Sequence, residues 1–562
     1  MDIREVDRTD DYLLIFTDRA LGQRAKAVEL DGESKRHNFH GRRGTKQRPR
    51  VVAVPQRTDI MPKTLTIIGM GACGVAAFAE AVTRLRYDPG NGDPGDGWKV
   101  HLVERDDELA RGLAFGTEQP GHLLNTESRL MGLYDREPGH FRTWLEARRA
   151  ASGTPLDPDA VEYPQRREYR VYMQEVLDNA LQQARTAGID VQVHREEAIA
   201  IEGDHAAATV RFANGSTIAT DVVLLTIGTP DPDRFGNLNG MPGYFDSPYP
   251  AHRMTAEIDR DQSVVVLGSG LSAIDAVMTL LDDGHRGHIH LVSKEGMLPR
   301  VEIPAPETGY DRRHLTLENV HRLIRERGSA FSVVDLFRLF RLEAETAAGR
   351  AIDWLAEDRY DGDAEAALLR DIAAAESGDE PFQRILTATR HDSTAIWNLL
   401  RPADQKRFGQ WLAPHFAAAR FVTPMVNARR LADAMTRGLL SVRGRIDETV
   451  ASETGTGFTV RFENGDTLEV PVVVNATGQA TALDEMKETL VKDLLAKDWL
   501  QPHPVGGAIA HRATCRIISA TRDAPRLYAL GQLLNGELRD TNAVWFNVEC
   551  AGRAVDDILR QQ

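Results

Sequence analysis

Two short glycine runs carry the residues of this chain best suited to chemistry. Gly69-Met-Gly71-Ala72-Cys73-Gly74 follows the apolar run Leu65-Thr-Ile-Ile, and Gly268-Ser269-Gly270-Leu271-Ser272-Ala273 follows Val264-Val-Val-Leu. Both fit the pattern G-x-G-x-x-G/A between a buried strand and a helix. In that setting the first glycine permits a tight turn and the second lets a pyrophosphate approach the backbone. The third position, Gly or Ala, lets the helix pack on the sheet. Free N–H groups and a partial positive charge at the helix start then face the phosphates. The chemistry is dinucleotide binding, and two such turns about 200 residues apart imply two dinucleotides meeting between domains.

The residues behind each turn distinguish the two ligands. Glu104 ends the strand Lys99-Val-His-Leu-Val-Glu, 35 residues after Gly69, where it can accept hydrogen bonds from ribose hydroxyls, with Arg105 beside it. The usual spacing is about 20 residues; the Gly/Pro/Asp-rich loop at 87–97 takes up the excess. After the second turn, the strand Ile289-His-Leu-Val ends at Ser293-Lys294, with Arg300 a little further on. An acid at that place would favour a free 2′-hydroxyl, whereas Ser and Lys suit a 2′-phosphate. NADPH is therefore expected at Gly268–Ala273, which leaves FAD as the occupant of Gly69–Gly74. Cys73 is read as a small packing residue in that turn.

Positioning these turns requires an α/β fold with two Rossmann-like dinucleotide-binding domains. Asn214-Gly215 and Asn464-Gly465 each mark a hairpin, followed by the buried runs Asp221-Val-Val-Leu-Leu-Thr and Val472-Val-Val-Asn-Ala-Thr-Gly478. The same sub-pattern thus occurs twice. Between about 305 and 440 the pattern is largely helical. The expected organisation is a basic extension over 1–61, disordered or loosely attached by its composition, then an FAD-domain segment over 62–260. The NADPH domain begins over 261–304, a helical insertion on the substrate side spans 305–440, the NADPH domain returns over 441–478, and the FAD domain returns over 479–562. The last strand, Arg526-Leu-Tyr-Ala-Leu-Gly531, precedes a loop and a closing helix, Val544–Leu559.

Further motifs resemble a family of bacterial FAD/NAD(P)-binding flavoproteins. Arg111-Gly-Leu-Ala-Phe-Gly116 and His122-Leu-Leu-Asn125 follow the first unit, and Gly-Leu-Ser-Ala-Ile-Asp275 with His290-Leu-Val-Ser-Lys-Glu-Gly-Met-Leu-Pro-Arg300 forms the second. With Asn475-Ala-Thr-Gly478 and Tyr528-Ala-Leu-Gly531-Gln532, the resemblance covers most of 62–560. It implies that Leu124, Asn125, Gly478, Gly531 and Gln532 lie near the flavin. The family often has a Trp- and His-rich run late in the insertion; only His415, Arg420 and Pro424 match it here.

Within the class the chain is similar to N-hydroxylating flavin monooxygenases, including those acting on ornithine, lysine or aspartate. The three cysteines include no C-x-x-C pair, so reduction of disulfides is not expected and oxygen is the simplest acceptor for reduced flavin. In a dry pocket the two can form a flavin hydroperoxide that passes one oxygen atom to a nucleophile. The expected function is FAD- and NADPH-dependent oxygenation of the amine of a small polar substrate such as an amino acid. The polar loop Asn535, Arg539 and Asn542 is the candidate for substrate contact, with Arg539 placed to pair with a carboxylate. No metal site and no acid–base dyad is legible, and the catalytic residues stay unassigned. Two alternatives stay open: an FAD oxidase or dehydrogenase acting directly on its substrate, and a redox-sensing protein that binds both cofactors without turnover. The net charge of −15 argues against a nucleic-acid partner. No 18-residue apolar run or signal-peptide core occurs, so a cytoplasmic protein is expected, with an oligomer left open.

Overall fold

The computed structural model describes residues 64–87, 97–153, 157–228, 235–303, 309–355, 357, 359–453 and 455–560. The expected 1–61 extension and residues 88–96 of the Gly/Pro/Asp loop lie outside the described residues.

Short runs of Val, Ile and Leu that are buried on both faces suit parallel strands covered by helices, and the fold uses them twice. The larger sheet runs in the order Ala510–His511, Arg516–Ile517, Arg526–Ala529, Val222–Leu225, Thr64–Ile68, Lys99–Glu104, Asp190–Arg195. Its last five strands are parallel, and the first two form an antiparallel edge. The helix Ala72–Tyr87 packs between Arg166–Thr186 and Val544–Arg560 on this sheet. The second sheet runs Leu440–Arg443, Ile289–Val292, Val264–Leu267, Val472–Asn475, Tyr244–Phe245, all parallel.

Each unit also carries a three-stranded antiparallel meander, Ala198–Gly203, Ala208–Phe212 and Thr217–Thr220 in one, Ile446–Ala451, Phe458–Phe462 and Thr467–Val470 in the other. The repetition visible in the sequence is thus a repetition of architecture. Tyr244–Phe245 falls inside the stretch 62–260 yet pairs with Val473 and Val474 in the second sheet. Two residues long, it carries no strand signal of its own. The helical stretch also divides. Ala364–Ser377 packs on Met425–Thr436 and joins the core of the second sheet. The other helices enclose a separate core around Trp354, Phe382 and Trp397. No helix among the described residues is long and apolar enough to cross a membrane.

Burial holds several histidines below their ordinary value of 6.5: His101 and His290 are brought down to about 4, and His122, His140 and His194 shift in the same direction. The unfolded chain therefore takes up protons that the folded one refuses once pH drops below about 6.5, so stability falls as pH goes from 6.5 toward 4. Thermal melts across that window are expected to show a steady decline, and His101→Gln a shallower one.

Candidate dinucleotide and substrate site

The two glycine turns are built alike. The Gly69 N–H donates to the Val103 carbonyl at 2.8 Å and the Gly268 N–H to the Val292 carbonyl at 2.7 Å. Both glycines have positive φ, 98° and 108°. A Cβ at Gly69 would lie 2.3 Å from the Thr226 carbonyl oxygen, one at Gly268 2.4 Å from that of Ala476, and one at Gly74 2.0 Å from that of Gly69. The chain's own packing thus demands glycine at these three positions. The middle glycines differ. A Cβ at Gly71 would meet only the Gly112 Cα at 3.6 Å, and one at Gly270 nothing within 4 Å. Each turn therefore leaves an open notch above the start of its helix, Ala72–Tyr87 in one case and Leu271–Asp282 in the other. That space, with the helix N–H groups facing it, fits a pyrophosphate. Ala72, Cys73, Leu271 and Ser272 form the first turns of these helices, and Gly112 of the Gly-Leu-Ala-Phe-Gly segment closes over Gly71.

Glu104 is pinned at the mouth of the first turn. Its Oε2 accepts the Met70 N–H at 2.8 Å, and its Oε1 accepts those of Arg105 at 2.9 Å and Asp106 at 3.2 Å. A carboxylate offers about four acceptor positions, so capacity remains for ribose hydroxyls; the Arg105 side chain is exposed beside it. The Gly531 N–H donates to Asn547 Oδ1 at 3.0 Å, and a Cβ at Gly531 would lie 3.9 Å from the Cys73 sulfur. The C-terminal segment, with Gln532 buried next in line, thereby returns to the first turn. Burial pushes the Cys73 thiol up to about 12, which fits packing rather than reactivity. Gly478, at φ 91°, is open like Gly71 and Gly270.

At the second turn, Ser269 Oγ donates to Ser293 Oγ at 2.9 Å, which in turn accepts the Gly296 N–H at 2.9 Å. Lys294 stands exposed at the strand end. Arg300 is not brought to the turn. Its guanidinium is buried on the Phe382 ring at 4.6 Å and is engaged by Glu357, Asp371 and Glu380. The expectation that Arg300 supplies charge to a 2′-phosphate is therefore corrected: two buried acids and the half-buried Glu357 already compensate it.

The His-Leu-Leu-Asn segment joins the two units. His122, fully buried, contacts Thr117 Oγ1 at 2.9 Å, Thr279 Oγ1 at 2.9 Å and the Asp275 carbonyl at 3.0 Å. Asp275, the last residue of the second nucleotide motif, takes Arg166 in a bidentate pair at 2.5 and 3.1 Å, with the Tyr249 hydroxyl also donating to it. Removing one partner of such a buried pair strands a charge and costs about 3–5 kcal/mol. Asp275→Ala is expected to lower the melting temperature by several degrees, which calorimetry can check, although Asp275 touches neither nucleotide notch.

Beyond this joint lies a cavity of about 80 Å³. Its wall includes Asn125 and Glu127 from the segment that begins at His122, Glu302, Arg390 and Arg420 from the insertion side, and Asn542 from the C-terminal loop. Arg390 lies over the Trp545 ring at 5.2 Å and 3.9 Å from Glu127, and its Nε is buried without a hydrogen-bond partner. Burial and the neighbouring Arg420 guanidinium hold Arg390 below the usual arginine range. Arg420 pairs with Asp540 at 2.9 Å, and Asp540 sits at φ 60°, a strained value for a non-glycine residue. Burial pushes the Glu302 carboxyl well above its ordinary range, and its Oε2 is buried without a hydrogen-bond partner.

The three loop residues expected at the substrate separate. Asn542 lines the cavity. Asn535 accepts the Thr541 hydroxyl at 3.4 Å. Arg539 is enclosed by the Trp397, Phe416 and Phe408 rings at 4.6, 5.6 and 5.8 Å and is not part of the wall. Arg390, Glu302, Glu127 and Asp540 escaped sequence reasoning. They belong to no motif, and Arg420, noted only as a fragment of one, gains its place through Asp540.

Residues 66–230 match the model of a family described as FAD-NAD(P)-binding. No curated protein matches the chain. Among solved structures, an ornithine hydroxylase from Pseudomonas aeruginosa shares 14% identity at a TM-score of 0.51, covering 89% of this chain and 100% of its own. The ornithine N-hydroxylase of Kutzneria sp. 744, solved with reduced FAD, NADP⁺ and L-ornithine, shares 16% at 0.53, covering 89% and 99%. The L-lysine 6-monooxygenase of Pseudomonas syringae shares 15% at 0.54, covering 89% and 99%. At these identities the likeness speaks for the fold alone. Residues 66–230 thus resemble the FAD-NAD(P)-binding family, and the chain has the fold of these two-dinucleotide proteins.

Proposed function

We propose that the protein is a flavin-dependent oxidoreductase that uses NADPH and oxygen to N-oxygenate the amine of a small polar substrate such as an amino acid. The observation that carries this reading is the cavity, walled jointly by the flavin-side segment, the insertion and the C-terminal loop, and lined by charges of both signs. Bound NADPH supplies a hydride to bound FAD, and reduced FAD with oxygen supplies the oxidising equivalents. The overall balance is amine, oxygen, NADPH and a proton giving hydroxylamine, NADP⁺ and water.

The chain's own residues hold, orient and shield. Gly71 and Gly270 leave room for the two pyrophosphates, Glu104 receives the ribose of FAD, and Ser293 with Lys294 faces the 2′-phosphate of NADPH. Arg390 and Arg420 face a substrate carboxylate. Glu127 faces its amine, and Glu302, whose buried carboxyl is held well above its ordinary range and keeps its proton, can donate a hydrogen bond to the nitrogen once that is neutral. Ile303, Leu386, Val422 and Trp545 supply apolar parts of the wall.

The test is anaerobic mixing of the FAD-loaded protein with NADPH, followed by admission of oxygen in the presence of candidate amino acids. Bleaching of the flavin's visible absorbance, then reoxidation with formation of a hydroxylamine, is the expected result. A flavin that NADPH does not bleach would sink the reading.

A further inference from the structure

Cys515 and Cys550 lie 35 residues apart with no C-x-x-C spacing, yet the fold closes one upon the other. Cys515 stands in the turn between the edge strands Ala510–His511 and Arg516–Ile517; Cys550 lies midway along the closing helix Val544–Arg560. Their exposures are 0% and 1%. The Cys515 thiol donates to the Cys550 carbonyl oxygen at 3.9 Å, and the two thiols shift each other's acidity.

Three features set this pair apart from cysteines that merely fill a core. Arg553 donates to the Cys550 sulfur at 2.9 Å, and its Nε is buried without a partner. A guanidinium held against one sulfur places a positive charge beside the other, where it favours the thiolate of Cys515. Cys515 has a positive φ of 59°, a strained backbone for a residue with a Cβ, in the turn that carries its thiol to the closing helix. The pair also divides in acidity: the hydrogen bond from Cys550, with Arg553 nearby, holds the Cys515 thiol below its usual range, while burial pushes Cys550 up. One low and one high thiol in contact make a nucleophile and a resolving partner.

We propose that Cys515 and Cys550 are a modification site, a dithiol that a peroxide converts into an intramolecular disulfide tying the closing helix to the edge hairpin. The Cys515 thiolate attacks one oxygen of hydrogen peroxide; the O–O bond breaks, and the sulfur is left as sulfenic acid with release of hydroxide. The Cys550 sulfur then attacks the sulfenic sulfur; the S–S bond forms and the S–O bond breaks. Hydroxide and the two thiol protons leave as water, so two thiols lose two electrons and one peroxide becomes two waters. Arg553 covers the pair from the protein surface, where its Nη1 donates to the Arg512 carbonyl at 3.2 Å. Displacement of that one half-exposed side chain admits a small oxidant. The link acts close to the flavin notch, because Asn547, one turn before Cys550 on the same helix, holds the Gly531 N–H at 3.0 Å.

The experiment uses the full chain in its FAD-loaded form, treated with hydrogen peroxide, alkylated without reduction and digested with trypsin. Mass spectrometry is expected to find the peptides 513–516 and 540–553 joined, with the species lost on treatment with dithiothreitol. Cys550→Ser abolishes it, Cys73→Ser leaves it intact, and Arg553→Met slows its formation about tenfold through loss of the positive charge beside the Cys515 thiolate. Should Cys550→Ser fail to fold, the Arg553→Met rate and the dithiothreitol reversal still decide the matter. Thiols at 515 and 550 that both remain alkylatable after peroxide, or that oxidise separately to sulfinic acid, overturn the proposal.

Discussion

Gly270→Val is expected to yield a folded, yellow, FAD-containing protein that NADPH no longer reduces efficiently, while Gly71→Val yields a folded protein without flavin. The expectation rests on a contrast within each turn. At Gly69, Gly74 and Gly268 a Cβ would collide with backbone oxygens at 2.0–2.4 Å, so substitution there damages the turn itself. At Gly270 a Cβ meets nothing within 4 Å, and at Gly71 only an ordinary contact at 3.6 Å. Gly270 also has φ −83°, which any residue adopts. The valine side chain therefore occupies the notch rather than straining the chain. Loss of charge-assisted phosphate contacts worth about 3 kcal/mol corresponds to a fall of about 100-fold in kcat/KM for NADPH. Stopped-flow reduction at varied NADPH reads the first variant, and flavin content per folded protein by absorbance and circular dichroism reads the second. An equal loss of FAD in both variants would remove the assignment of one dinucleotide to each turn.

The second large effect is expected at Arg390. Replacing it with Gln removes a charge-assisted contact to a substrate carboxylate, a loss of about 1.5–3 kcal/mol, or roughly 10–150-fold in KM. The sign of the stability change separates this from simple damage. Arg390 is held beside Arg420, whose charge opposes its own, and its Nε is buried without a partner. Removing it relieves like-charge repulsion and a desolvated guanidinium, against loss of a 3.9 Å pairing with Glu127. The melting temperature is therefore expected to hold or rise while KM increases. Arg390→Lys keeps the charge but loses the planar donor fork, and is expected to fall between the two. Steady-state kinetics with the best amine found in the screen, together with calorimetry, checks both signs. A large drop in melting temperature with unchanged KM would assign Arg390 to structure instead.

Local patterns carried much of the fold. Leu65-Thr-Ile-Ile and Val264-Val-Val-Leu are too apolar and too short for anything but buried strands, and the glycines behind them admit only a tight turn into a helix. The Asn-Gly pairs at 214–215 and 464–465 placed the meanders in the same way. The place of Arg300 is not legible locally, because charge and chain proximity to Lys294 say nothing of the three acids, 57 to 80 residues further on, that engage it. The place of Arg539 is equally hidden, because the rings of Trp397, Phe408 and Phe416, which enclose it, come from the insertion.

What the residues determined by themselves is the pair of dinucleotide turns, since a backbone that must bend at positive φ, pack a helix on a strand and admit a phosphate leaves room only for glycine or alanine at fixed spacing. That Gly69 and Gly268 answer to packing while Gly71 and Gly270 answer to a ligand was decided only in three dimensions, by where neighbouring carbonyls fall. The same holds for the cavity. Glu127, Glu302, Arg390 and Arg420 come from separate segments, and the acidities of Glu302 and Arg390 depend on burial and on neighbouring charge. Such properties arise from distances through space, which no spacing along the chain encodes.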